Sequence, residues 1–208
     1  MCFSAVEMLK IIDIMRIKTY LLLLFFALFA MGAKAQSIAV KTNLLYDATA
    51  TVNAGIEFGL APKWTLDLSG NFNAWEISEG KKWKHWMAQP EARYWFCDRF
   101  SRHFVGVHAL GGQYNVGGLD TDFKIFGKDF SKLKDSRYQG LFAGAGVAYG
   151  YALILGKHWN MEFEVGVGYI YTKYDKFECA GCGKRVGTDL EKHFFGPTKG
   201  AINLVYVF

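Results

Sequence analysis

Residues 159–171 read WNMEFEVGVGYIY, and their reading decides the fold. Trp159, Met161, Phe163, Val165, Val167, Tyr169 and Tyr171 alternate with Asn160, Glu162, Glu164, Gly166 and Gly168. A period of two belongs to a β-strand with one greasy and one polar face. The segment is longer than the five or six residues usual in soluble sheets and suits a tilted bilayer crossing. The pattern recurs at 51–60, where Val52, Ala54, Ile56, Phe58 and Leu60 share a face, and at 64–73 through Trp64, Leu66, Leu68 and Phe72. In the closing segment Ile202, Leu204, Tyr206 and Phe208 do the same. Residues 140–156 are uncharged and carry the GxxxG spacing of membrane helix dimers. Yet Leu141, Ala143, Ala145, Val147, Tyr149 and Tyr151 alternate there too, and the many glycines disfavour a helix.

Working outward, the chain parses into eight strands at 37–46, 51–61, 64–77, 87–97, 102–114, 138–153, 158–173 and 199–208. Short turns at 61–63, 98–101 and 155–157 alternate with long, charged connections at 78–86, 115–137 and 174–198; the first connection, 47–50, is brief. This predicts an all-β fold: an eight-stranded antiparallel up-and-down transmembrane β-barrel with short periplasmic turns and longer extracellular loops. Trp64, Phe104 and Trp159 follow short turns, while Tyr46, Trp75, Trp86 and Tyr171 lie near long-loop ends, as two aromatic girdles require.

Residues 1–35 read as a cleavable export signal, with Met15 a sufficient start. Arg16 and Lys18 precede an apolar run from Tyr20 to Met31, and Ala33-Lys34-Ala35 supplies the cleavage site, leaving 36–208 as the barrel domain. The apolar run is shorter than the roughly 20 residues of a spanning helix. Removal takes Lys10, Arg16, Lys18 and Lys34 with Glu7 and Asp13, so the net charge of +5 falls to +3. Hydrophobic residues at 51%, 23 glycines and only 3 prolines exclude a disordered or collagen-like chain, and the small charge gives no support for nucleic acid as a partner.

With apolar faces outward, the inward residues are Lys41, Glu57, Asp67, Glu91, Arg93, His108, Glu162 and Glu164, with Asn43, Asn53, Asn71 and Asn203. Eight strands leave an interior that side chains fill. Charges withdrawn from water must pair, so these residues predict an interior ion-pair and hydrogen-bond network, with glycines of the 138–153 strand making room for side chains from the opposite wall. Cys179 and Cys182 form a CxxC. Export favours a local disulfide, and metal ligation with His193 is the alternative; a closed zinc site needs four ligands. Cys97 is then expected to be an unpaired, buried thiol. Lys81, Lys82, Trp83, Lys84 and Trp86 mix cations with indoles and could bind anionic lipid or glycan.

The segment Lys41-Thr42-Asn43-Leu44-Leu45-Tyr46-Asp47, the segment Phe195-Gly196-Pro197-Thr198-Lys199 and the closing Leu204, Tyr206 and Phe208 carry a resemblance. Over 38–208 the chain resembles the small outer-membrane barrels of domain-of-unknown-function family 3575, and in layout it is distantly similar to OmpA- and OmpX-type barrels. The resemblance implies a Gram-negative outer-membrane protein, with the last strand as the signal to the barrel assembly machinery, and it supplies no catalytic residue. Expected partners are outer-membrane lipids including lipopolysaccharide, that machinery and a surface protein. No catalytic residue, cofactor or metal is expected. The expected role is non-enzymatic, with surface loops serving adhesion, envelope structure or surface assembly. A port for a small apolar molecule is the second reading, and a lipid-modifying or proteolytic enzyme the third, because the loop residues Ser78, His85, Asp120, Asp122 and His193 have no spacing that forces them together.

Overall fold

The computed structural model describes residues 38–78, 81–118, 124–125, 128–129, 136–179 and 184–208; the export signal, Asp120, Asp122 and Cys182 lie outside them. The described part belongs to one compact unit, Ser37–Phe208. Its strands are β1 (Ile38–Asn43), β2 (Val52–Ala61), β3 (Trp64–Asn73), β4 (Glu76–Ser78), β5 (Lys81–Trp95), β6 (Arg102–Gly117), β7 (Lys124–Ile125), β8 (Lys128–Asp129), β9 (Arg137–Ile154), β10 (Trp159–Phe177) and β11 (Arg185–Val207). One five-residue helix, α1 (Leu44–Ala48), follows β1.

Eight of these strands pair antiparallel in the order β1-β2-β3-β5-β6-β9-β10-β11. β11 then pairs back to β1 through Ala39↔Val207 to Asn43↔Asn203, so the sheet closes on itself as a ring. β4 flanks β5, and β7 with β8 forms a separate hairpin. Burial alternates along the walls. On β10, Asn160, Glu162, Glu164, Gly166 and Gly168 are buried, while Phe163, Val165 and Val167 are 43%, 67% and 51% exposed. The polar face is therefore the inner one.

Several element boundaries differ from the sequence expectation. β1 ends at Asn43 instead of 46 because the Asn43 side chain caps α1, accepting the Leu45 amide at 3.1 Å. Tyr46 consequently lines interior cavities instead of joining a girdle. β5 starts at Lys81, six residues early, and β10 and β11 run on to Phe177 and back to Arg185, so much of the 78–86 and 174–198 connections is strand. Pro197 inside β11 falls at a bulge opposite Gly166/Val167, where the only strand β11 pairs with is β10, a setting in which a ladder tolerates proline.

Candidate functional site

The ring interior is layered. At the turn end Trp95, Phe100, Phe104, Ala39, Ala152 and Val205 form an apolar base. Phe104 was expected in a girdle; it is fully buried instead, its ring centroid 4.6 Å from that of Trp95. The reason is Gly150, its register partner on β9, whose missing side chain leaves the space the Phe104 ring occupies. Gly146 likewise leaves room for His108, where an added Cβ would stand 2.8 Å from Nε2, and Gly55 for Lys41. These glycines accommodate the neighbouring strand and not the opposite wall, which corrects that part of the sequence reading.

Above the base lies the charged layer. Every one of Lys41, Glu57, Asp67, Glu91, Arg93, His108, Glu162 and Glu164 is buried. Arg93 is the hub and reaches all five acids. Its Nε donates to Glu91 Oε1 at 2.7 Å; Nη1 reaches Glu57 Oε2 at 2.8 Å and Glu162 Oε2 at 3.1 Å; Nη2 reaches Asp67 Oδ2 at 2.9 Å and Glu164 Oε2 at 2.8 Å. Its guanidinium also stands 4.6 Å over the Phe104 ring centre. The Lys41 ammonium bridges Glu57 and, at 3.1 Å, Glu162. Such a layer follows from closure: charged side chains forced inward are stable only when paired.

One cation was missed by sequence reasoning. Lys199 Nζ lies 2.7 Å from Glu91 Oε2 and 3.2 Å from Glu164 Oε1. Lys199 stands just past the β11 bulge and keeps the inward parity of Ala201, Asn203 and Val205, so counting back along the last strand would have found it. The same bulge aims Thr198 inward, with its Oγ1 2.9 Å from His108 Nε2 and its carbonyl accepting from Gln89 Nε2 at 3.3 Å. Gln89, two residues before Glu91 on the same face, could have been found by parity. Asn43, Asn71 and Asn203 are buried and Asn53 half-buried; with Gln89 they line a small polar cavity of about 40 Å³ above the ions.

The basic-aromatic segment is divided between faces. Lys82, Lys84 and Trp86 follow the outward parity of β5, whereas Trp83 lies within the cavity rim beside His85, ring centroids 5.9 Å apart. The side chain of Lys81 lies outside the described ones. The Lys173 ammonium, 3.0 Å from Asp189, is held above the ordinary lysine range by the hydrogen bond and charge of that carboxylate. Cys179 is disulfide-bonded, and its expected partner Cys182 lies outside the described residues. Cys97 is a free thiol, but exposed in the turn after β5 and not buried, because the turn leaves the wall before it. Leu204 and Tyr206 share the outer face of β11, and Phe208 just beyond the strand end is 69% exposed, its ring 5.0 Å from that of Tyr206. Among the described residues, no three or more His, Cys, Asp or Glu side chains converge as metal ligands. His85 lines the interior rim while His193 stacks on Tyr169 and packs at a tilt against Tyr171, both of which face outward by β10 parity.

No curated protein and no solved structure matches the chain. A family model does, the one described as protein of unknown function, DUF3575, over residues 20–208. Spanning nearly the whole sequence, that match shows that the chain belongs to the DUF3575 family.

Proposed function

We propose that the chain is a non-enzymatic outer-membrane β-barrel whose surface loops serve adhesion, envelope structure or surface assembly. The observation that carries the reading is the inverted wall. The closed ring buries eight predicted polar side chains and exposes Val52, Val107 and Val165 at 64%, 64% and 67%. Soluble monomers rarely show contiguous apolar patches beyond a few hundred Å², whereas a lipid-facing wall needs one all round.

Aromatic placement supports it quantitatively. Trp159 and Tyr169 on β10, both 47% exposed, are ten residues apart, roughly 33 Å along the strand and about 25 Å along an axis tilted by ~40°. That equals the ~25 Å apolar band of such barrels. On the opposite wall Trp64 shares a rung with Val165, four strands away, and Trp86 shares one with Lys173, three strands away. At ~40° tilt each ~4.8 Å step across the sheet changes height by about 3 Å. Those offsets, roughly 12 and 9 Å, bring Trp64 level with Trp159 and Trp86 level with Tyr169 to within a few Å. One slope levels both belts. The charged interior disfavours a port for an apolar molecule.

The test is expression of the full chain in a Gram-negative host. The expected result is an outer-membrane fraction containing protein that starts at Gln36 and shifts in electrophoretic mobility on boiling. Folded protein in the aqueous periplasm would overturn the reading.

A further inference from the structure

We propose that the outer wall over β5, β6, β9 and β10 is a docking furrow for one acylated saccharide, with the sugar headgroup in a polar groove at the rim and an acyl chain in the apolar furrow below. The inference rests on the outer-membrane reading above. Two cavities of about 630 Å³ each open on this wall. Such volumes fall in the ~300–1,000 Å³ range of ligand sites.

The lower cavity is lined by Val105, Val107, Val147 and Val165 between the rings of Trp64 and Tyr149. The upper includes Trp86, Gln113, Asn115 and Gln139. Register shows how they connect. One rung runs Ala109–Ala145–Tyr169, with the Leu68–Pro90 pair beside it across β5, and the rung above it runs Gly70–Ala88–Gly111–Ala143–Tyr171. In both, the central side chains are small and face outward, while Tyr169 or Tyr171 rises at the edge. The wall is therefore low in the middle from one cavity to the other. From Trp86 to Tyr94 on β5 is eight residues, roughly 26 Å along the strand and about 20 Å along the membrane normal, enough to follow an acyl chain through a leaflet of ~15 Å hydrocarbon.

The upper groove selects the headgroup. Lys84 and Lys173 are balanced there by Asp175 and Asp189, so the lining is neutral overall and offers no net attraction to a polyanion. What it does offer is hydroxyl chemistry. Three amides can each donate and accept, and the Trp86 indole presents an apolar face beside them. A phosphate only accepts from these amides, whereas a sugar hydroxyl both donates and accepts.

The test uses the full chain, delipidated in detergent and titrated with diglucosyl-diacylglycerol or with phosphatidylglycerol, with native mass spectrometry counting bound lipid. Ala109→Leu and Gly111→Leu fill the furrow; a Cβ at Gly111 would find no atom closer than 3.8 Å, so the fold accepts it. The expected result is one glucolipid per chain, held about tenfold more weakly by the filled variants. Gln113→Ala with Gln139→Ala should lower glucolipid retention several-fold and phosphatidylglycerol retention, with its two glycerol hydroxyls against the many of a disaccharide, by less. Equal retention by wild type and filled variants overturns the furrow, as does stronger binding of phosphatidylglycerol. A dimer that the same filling substitutions disrupt overturns it in favour of a second copy as occupant. A chain that never enters the outer-membrane fraction overturns the membrane reading itself, whereas a chain that inserts and fails these binding tests overturns only the furrow.

Discussion

Replacing Arg93 by methionine would leave five buried carboxylates facing Lys41 and Lys199 alone, because Arg93 is the one side chain that touches all five. Breaking a buried ion pair from one side costs about 3–5 kcal/mol, since the remaining charge stays desolvated. Arg93→Met should lower the unfolding free energy of the detergent-folded protein by that amount, read as a lower urea midpoint at an unchanged denaturant slope. Arg93→Lys should recover little, because a single ammonium cannot reproduce the planar fork of five donors. A midpoint within experimental error of wild type would show the layer to be indifferent to its hub. The apolar base gives a second residue-scale prediction. Gly150→Ala places a methyl against the Phe104 ring and should cost about 1–3 kcal/mol, and Phe104→Leu in the same chain should return part of it. Simple additivity of the two changes in the urea midpoint would deny the contact. Both predictions concern residues whose inward face followed from parity or from register, and that marks what alternation can reveal. Glu57, Asp67, Glu91, Arg93, Glu162 and Glu164 stand at unbroken alternate positions and read as interior from the sequence; Lys199, two residues before Ala201, stands at one too and went unread, whereas Thr198 sits at a bulge that shifts parity by one.

At the scale of elements, the eight strand cores and the three tight turns followed from the apolar rhythm, but the upper parts of β5 and β11 and the last four residues of β10 did not. Above the aromatic level neither face of a strand needs to be greasy, so residues 81–86 and 185–196 carry charge, glycine and polar side chains and look like loop. Their pairing comes from continuing a ladder already begun below, as in Tyr171↔His193 and Lys173↔Glu191. Helix α1 escaped for a different reason. Five residues give no period, and its existence hangs on the Asn43 cap and on the Thr49 and Ala50 amides returning to Tyr46 and Asp47. The β10–β11 connection supports a chemical prediction. With Cys179 bonded and Cys97 exposed as a free thiol, the chain beginning at Gln36 should show one reactive thiol without reductant and three after unfolding and reduction. Three thiols before reduction would exclude a Cys179–Cys182 disulfide.

For the whole molecule the decisive event is closure, and closure depends on the seam between β1 and β11. That seam has only five register pairs, Ala39↔Val207 to Asn43↔Asn203, against the much longer β9–β10 and β10–β11 ladders. The ring thus brings the first and last described strands together through a ladder nearly as short as the four pairs of β1–β2, and non-local pairing of this kind forms late and at the largest loop-closure cost. Inside the seam, Val205 is fully buried against the apolar base, while the Phe208 ring just beyond it is exposed and packs on Tyr206, the Phe208 amide donating to the Ile38 carbonyl at 2.9 Å. The two positions should therefore separate stability from delivery. Phe208→Ala should leave the urea midpoint of detergent-refolded protein within about 0.5 kcal/mol of wild type, as expected of an exposed site. The same change should lower the amount assembled in the outer membrane of growing cells, if an exposed terminal ring is what the assembly machinery reads. Val205→Asp should abolish both, because it puts an unpaired charge into the base. Quantitative blotting of membrane fractions alongside refolding yields tests the distinction. A Phe208→Ala chain that refolds as poorly as it assembles would mean that Phe208 closes the ring, and the signal role would have to be given up.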